Sequence, residues 1–262
     1  MSQILREELF YAQASCAPIS AQIVVRNEEG KIQACLESLK DAVSEIILIH
    51  DGDCDDRTLE IARDFTDKIF VTPWIGEAEP HRPFAFEQAT QPWILMIDGD
   101  EFLTPELAAR IAALVSDPTI SGYELKWNIA YPHEPVNYKY KRALVRKADM
   151  EPYKGVPHEQ VRLRGRVERI ELELGHNRAS SAAQMRHKLT IWPQVHGRAL
   201  AAHRLKQVPA WILPLGYACY VPYMLWRRIW SGEDTTCGKI WGSTLYYTRV
   251  WHAFCRQRLF GN

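Results

Sequence analysis

Between residues 19 and 115 the chain repeats one pattern, in which a short apolar run leads into a segment whose apolar residues recur at helical spacing. Ile19 to Val25 suits a buried strand. Asn27 then stands where it can cap a helix whose apolar positions Ile32, Cys35, Leu36 and Leu39 share one face. Glu45 to Ile49, Lys68 to Val71 and Trp93 to Ile97 repeat the strand signal. Helices are expected at Thr58 to Phe65, Phe84 to Ala89 and Pro105 to Val115, the last with proline in its first turn. Strands alternating with helices imply right-handed crossovers, hence an α/β fold with a mainly parallel sheet covered on both faces. Beyond Val115 the pattern loosens, with strands expected at Gly122 to Trp127, Arg142 to Arg146 and Val161 to Leu163.

Ligands of such sheets sit beyond the carboxyl ends of the strands. Two acidic loops follow strands directly, so both should open onto one crevice. In Ile97-Asp98-Gly99-Asp100-Glu101, two carboxylates one residue apart can face the same space if the chain turns at Gly99. Hard oxygen ligands suit Mg²⁺ or Mn²⁺, which bridge diphosphate oxygens well. Acidic turns are common, and position rather than composition raises this one. The second loop, Asp51-Gly52-Asp53-Cys54-Asp55-Asp56, must be solvated or engaged to hold so many acids together. Its carboxylates can accept hydrogen bonds from a base N–H or ribose hydroxyls.

In their order these motifs resemble family 2 glycosyltransferases. Ala21-Gln22-Ile23-Val24-Val25-Arg26-Asn27-Glu28 is similar to that family's opening strand, which ends in Asn-Glu. Cys35-Leu36-Glu37-Ser38-Leu39 resembles the string in the helix that follows. Asp51 to Thr58 is close to the next family loop, although Asp53 and Asp55 stand where small hydroxyl residues are usual. Asp98-Gly99-Asp100 corresponds to the metal-binding Asp-x-Asp. Gly155-Val156-Pro157-His158-Glu159 and Leu174-Gly175-His176-Asn177 resemble later motifs of bacterial members that build lipopolysaccharide core or related surface glycans. The likeness covers roughly residues 19 to 180.

The resemblance implies a GT-A fold, a nucleotide-sugar donor (UDP-sugars first among them), a divalent metal and inversion at the anomeric carbon. It assigns Asp98, Asp100 and His176 to the metal, and Arg26, Glu28, Asp51, Asp53, Arg82 and Asp98 to the donor. Displacement needs a base for the acceptor hydroxyl and help for the departing diphosphate. Glu159 is the first candidate base, provided burial raises its pKa toward neutrality, and His158 is the alternative. Arg26 and Arg82 suit phosphate, with surface arginines as the plain reading of both.

A net charge of zero hides a division. Residues 1–173 hold 20 Lys and Arg against 30 Asp and Glu, whereas residues 174–262 hold 12 against 2 and six of the nine tryptophans. The expected organisation is an extension at 1–18, a catalytic domain at 19–180 and a helical, basic, aromatic region at 181–262. Val208 to Trp226 carries no charge but is broken by three prolines, which favours an interfacial or re-entrant segment over a spanning helix. Gly238 to Phe260 reads as an amphipathic helix that either lies on an anionic membrane or packs on the domain. Arg6, Glu7 and Glu8, with no long apolar run behind them, make a poor signal peptide. Six scattered cysteines without a CxxC pair fit a reducing compartment. The expected location is therefore cytoplasmic, peripheral on the inner face of the membrane, with a glycan or lipid-linked acceptor as partner.

Three other classes compete. A non-catalytic nucleotide-sugar or glycan-binding protein would show no turnover. A nucleotidyltransferase would need a glycine-rich basic loop after the first strand, which Arg26-Asn27-Glu28-Glu29-Gly30 is not. A nucleic-acid-binding module is disfavoured by the acidic first part and by the lack of a recognised motif.

Overall fold

A computed structural model of the chain describes residues 16–128, 137–156, 159–177, 182–201 and 237–260, with 218, 219, 222–224 and 226. The apolar run at 19–25 becomes β1 (Ala17–Val25), buried at every residue except Pro18. It pairs in parallel with β2 (Val43–Asp51) on one side and β4 (Trp93–Asp98) on the other, and β3 (Ile69–Thr72) joins β2, also in parallel. The connections are helical: α1 (Ile32–Leu39), α2 (Thr58–Arg63) and α3 (Arg82–Gln88). This is the parallel half that the alternating pattern predicts.

The other half of the sheet is mixed. After β5 (Glu101–Leu103) and α4 (Pro105–Ser116) come β6 (Ile120–Asn128), β7 (Tyr138–Arg146) and β8 (Arg166–His176). The full order is β3-β2-β1-β4-β7-β6-β8-β5. β7 runs antiparallel to β4 and β6, β8 parallel to β6, and β5 antiparallel to β8.

Alternation along β1 divides the core by faces. Ile19, Ala21, Ile23 and Val25 enter the larger core, with Ile32, Leu36 and Leu39 of α1 and Leu107, Ile111 and Val115 of α4. On the opposite face Ile47, Ile94, Met96 and Val145 pack with Phe86 and Ala89 at the end of α3. Thr104 caps α4, its hydroxyl accepting from the Leu107 N–H at 3.3 Å.

Four expectations are corrected. Asn27 does not cap α1; Lys31 precedes the helix, while Asn27 takes a left-handed backbone (φ 49°) and its side chain bonds Asp55. Val161 to Leu163 is no strand, and only Leu163 forms an isolated bridge, with Met150. β8 and β5 were not expected at all. The register of these two places His176 opposite Glu101, which carries the downstream histidine to the acidic turn.

The described residues fall into two compact units. The sheet and its helices, 16–74, 81–155 and 159–177, make the first. The second contains 75–80, α5 (Ala182–Ala199) and α6 (Cys237–Phe260). Val250, Trp251 and Phe254 of α6 are buried, the last two in a cluster with Ala201. At Gly197 a Cβ would lie 2.6 Å from the Phe254 nitrogen and from Ala253 Cβ, so glycine lets the α5 and α6 backbones touch. His196 of α5 pairs with Glu77 at 3.0 Å and with the Tyr246 hydroxyl of α6. The stretch Val208 to Trp226 lies largely outside the described residues, as do residues 1–15. Among the described residues no helix is long and apolar enough to cross a membrane.

Candidate active site

The chain turns between β4 and β5 within two residues, Gly99 and Asp100. A Cβ at Gly99 would lie 2.5 Å from Val25 Cγ1, so only glycine lets the turn pass this close to β1. Asp98 closes β4. One of its oxygens accepts from Arg82 Nη2 at 2.7 Å, the other from Lys141 Nζ at 2.9 Å. Burial pushes the Asp98 carboxyl up, but Lys141 and Arg82 outweigh it and hold the group well below the usual carboxylate range.

Glu101 opens β5 and is buried, at 1% exposure. It accepts from the Asp98 backbone N–H at 2.8 Å and pairs with Lys141 at 2.6 Å. Its other oxygen is buried without a hydrogen-bond partner. Burial, helped by the negative charge of Asp98, raises its pKa to about 7 against the pull of Lys141. Lys141 itself, projecting from β7, loses solvation. The two carboxylates more than compensate, raising its pKa, and its ammonium also lies 5.7 Å from the Trp127 ring centre.

Asp100 points its carboxylate at His176 Nε2 (3.5 Å) and lies 3.9 Å from Lys31 Nζ. Burial works against its charge, but His176 prevails and lowers its pKa. His176 Nδ1 is 3.0 Å from the carbonyl oxygen of Asn128. A carbonyl only accepts, so Nδ1 carries the hydrogen, and in the neutral ring Nε2 presents a lone pair to Asp100. Two acceptors facing each other make a place that a cation would fill. Trp127 stacks on the imidazole at 5.0 Å and fixes its plane. The donor set is small. Among the described residues no group of three or more His, Cys, Asp or Glu forms a cage. One carboxylate and one imidazole fit a cation that takes its other ligands from diphosphate oxygens and water, as Mg²⁺ and Mn²⁺ do.

The second acidic loop is stitched to the turn after β1, with Asp53 and Asp55 still exposed. Asp55 exchanges hydrogen bonds with Asn27, Asp56 accepts from the Glu29 N–H, and Thr58 Oγ1 accepts from the Glu28 N–H. Arg26 donates to the Asp51 carbonyl at 2.6 Å, beside Gly52, whose φ of +81° suits glycine. The Asp51 carboxylate is buried and takes a hydrogen bond from His81 Nε2 at 3.0 Å. Asp53 is exposed and makes no hydrogen bond or ion pair among the described residues. Glu28 pairs with Lys31 at 3.2 Å, linking this loop to Asp100.

Arg82, Asp98, Asp100 and His176 thus converge at the carboxyl end of β4, joined by Glu28 through Lys31; Arg26 and Asp51 sit together at the end of β2. Glu159 is held locally, one carboxylate oxygen accepting from the Lys154 N–H at 3.0 Å. His158 lies outside the described residues. The sequence reading missed Lys141, His81, Lys31 and Trp127. The only available signal for Lys141 was its place in a charged strand, Tyr138–Arg146, whose burial no alternation marks.

Comparison with known proteins fits this geometry. The model of Glycosyl transferase family 2 matches residues 20–186. An uncharacterized glycosyltransferase of Rickettsia typhi is 32% identical over 116 residues, 43% of this chain and 39% of that protein. The lipopolysaccharide core biosynthesis glycosyltransferase LpsC of Rhizobium meliloti is 32% identical over 136 residues, 48% of this chain and 49% of that one. The chain therefore spans about half, or less, of the length of these two relatives. Glucosyl-3-phosphoglycerate synthase of Mycobacterium tuberculosis, solved with Mg²⁺ and uridine diphosphate, aligns with 75% of this chain and 82% of its own at 14% identity and a TM-score of 0.47. The helix-flanked sheet is the α/β arrangement that the alternating sequence pattern implies. With the family pattern running from β1 to beyond His176, the chain belongs to glycosyl transferase family 2.

Proposed function

We propose that the chain transfers a sugar from a nucleotide-sugar donor to a glycan or lipid-linked acceptor, with inversion, in the synthesis of a bacterial surface polysaccharide or lipopolysaccharide. The observation that carries the reading is the meeting of Asp100 with the His176 Nε2 lone pair at the carboxyl end of β4, 3.5 Å apart. Asp100 and His176 would hold Mg²⁺ or Mn²⁺. When bound, the ion would neutralise charge on the departing nucleotide diphosphate. Asp98 has both oxygens engaged by cations, so we assign it to holding Arg82 and Lys141 toward the donor rather than to the metal alone. Arg26 and Arg82 would contact the phosphates; Asp51, Asp53 and Glu28 would accept from base or ribose. Glu159, with His158 as the alternative, would take the acceptor hydroxyl's proton. UDP-sugars are the first donors to try. The likeness to a core-biosynthesis relative supports the pathway, and the basic second unit supports a site of action on the inner face of the cytoplasmic membrane.

The test is donor hydrolysis by the purified chain across UDP-, GDP- and dTDP-sugars with Mg²⁺ or Mn²⁺, against Asp100→Ala. Metal-dependent release of one nucleotide, abolished by the substitution, is expected. Absence of turnover together with absence of metal-dependent nucleotide binding by calorimetry would overturn the reading. Binding with no turnover on any acceptor would instead favour a non-catalytic nucleotide-sugar-binding protein.

A further inference from the structure

The second unit carries a surface that the transfer reaction leaves unused. On α6, Leu245, Arg249, His252, Arg256 and Leu259 are all exposed, spaced four, three, four and three residues apart. That spacing sets them in one stripe, about 21 Å long at 1.5 Å per residue. The stripe has leucine at each end, 40% and 54% exposed, and cations or a titratable imidazole between. The neighbouring face of the helix is spent on packing, with Val250, Trp251 and Phe254 buried.

Beside the stripe, between α5 and α6, lies a cavity of about 610 Å³. Arg198 from α5 meets Arg249, His252 and Arg256 from α6 there, with Gln194 and Thr248 among the neutral lining groups. Among the described residues no carboxylate lines it. From residue 174 onward the chain has 12 Lys and Arg against two acids, Glu233 and Asp234, and Glu77 of the same unit pairs with His196. A second hollow of about 420 Å³ continues from the first, sharing His252 and Arg256 and adding Cys255 and Leu259.

We propose that the α5–α6 groove is a binding site for the phosphorylated headgroup of an anionic lipid. The arginines take the phosphate, and the Cys255–Leu259 hollow takes the first carbons of the chain. Guanidinium forks match phosphate oxygens in pairs, which a diffuse basic patch does not do. An apolar hollow adjoining the cations has no use for a free phosphate and suits an amphiphile. The inference deepens the membrane part of the proposed function and rests on that part alone.

The full-length chain is sedimented with phosphatidylcholine vesicles, with and without phosphatidic acid, alongside Arg198→Gln/Arg256→Gln and the charge-matched control Arg63→Gln/Arg110→Gln. Arg63 and Arg110 are exposed on α2 and α4, far in sequence from the groove. Each arginine near an anionic surface contributes about 1 kcal/mol, so the groove variant should bind about thirty-fold more weakly. The control should bind like the parent. Equal losses in the two variants would overturn the groove while leaving a diffuse membrane contact; no binding by the parent would remove the membrane reading as well. A titration separates the phosphate sources. Dihexanoyl phosphatidic acid should bind more tightly than inorganic phosphate, and equal affinities would overturn the lipid as occupant. Circular dichroism of the variants guards against misfolding, and donor hydrolysis, unaffected by the groove substitutions, keeps a failure here distinct from a failure of the transferase reading.

Discussion

Lys141→Met is the substitution that tests the site most directly. Lys141 Nζ sits 2.6 Å from Glu101 and 2.9 Å from Asp98, with its own side chain 19% exposed and that of Glu101 fully covered. At an effective dielectric of about 20, each contact is worth about 6 kcal/mol before desolvation is counted. The net cost of removing one partner from such a buried cluster is about 3–5 kcal/mol, because a charge is left behind without compensation. Asp98 keeps Arg82, but Glu101 keeps only the Asp98 N–H, so the deficit falls on Glu101. Adding Glu101→Gln removes the stranded charge while retaining an acceptor for that N–H. The double variant should therefore recover about 2 kcal/mol or more relative to the sum of the single changes. The assay is urea unfolding of the four proteins at pH 8 in metal-free buffer, read by tryptophan fluorescence. A loss below about 1 kcal/mol in Lys141→Met, or single effects that simply add, would refute the claim that Lys141 neutralises this turn.

Three further outcomes are expected. Glu101 has a folded pKa of about 7 against about 4.3 unfolded, so the folded state holds its proton longer and stability falls as pH rises between those values. The unfolding free energy of the parent minus that of Glu101→Gln should thus drop by about 2–4 kcal/mol from pH 4 to pH 8, and a flat difference would contradict this. Glu45 behaves oppositely: burial opposes its charge, but Lys68, Ser20 and Thr90 lower its pKa to about 2. Its contribution is present above the unfolded value and lost as pH falls through about 2, so Glu45→Gln should cost about 2 kcal/mol at pH 7 and nothing near pH 2 in the same unfolding assay. Gly52→Ala places a Cβ 2.6 Å from Arg26 Nη1 and 2.9 Å from Trp74 Cβ at a φ of +81°. It should cost about 1–2 kcal/mol and weaken nucleotide binding by calorimetry, whereas unchanged affinity would remove Arg26 from the donor site.

The parallel half of the sheet was legible because each of its strands is buried. Ile19 to Val25 and Trp93 to Ile97 read as unbroken apolar runs for that reason. The mixed half hid for the opposite reason. β8, Arg-Val-Glu-Arg-Ile-Glu-Leu-Glu-Leu-Gly-His, is largely open to solvent until its last third, where Leu172, Leu174 and Gly175 are buried. Five charged side chains make it resemble a polar loop, although the alternation of Ile170, Leu172 and Leu174 was there to be read. β5 has three residues and owes its conformation to pairing with β8, whose paired residues lie 71 to 75 positions further along the chain, which no local pattern can announce. Asn27 failed as a cap on similar grounds. Its side chain is claimed by Asp55, so it shapes the loop that meets Arg26 instead of starting a helix.

The site divides along the same line. Asp98, Asp100, Arg82 and the second acidic loop all lie near carboxyl ends of parallel strands or at the helix that follows them, which is where topology alone directs attention. Lys141 and His176 come from the mixed half, and sheet pairing rather than sequence proximity delivers them: β7 beside β4, β8 beside β5. Their electrostatic roles follow from that delivery. Three carboxylates within four residues of a turn repel one another, and nothing inside residues 98–101 can neutralise them. The antiparallel strands supply what the turn lacks, an ammonium for Asp98 and Glu101 and an imidazole for Asp100. Lys141 engages Asp98 and Glu101 from behind, whereas Asp100 meets only an imidazole nitrogen at 3.5 Å and a lysine at 3.9 Å. On the proposed reading, the mixed half of the sheet thus sets apart, within an otherwise ordinary acidic turn, the carboxylate that would meet an incoming cation.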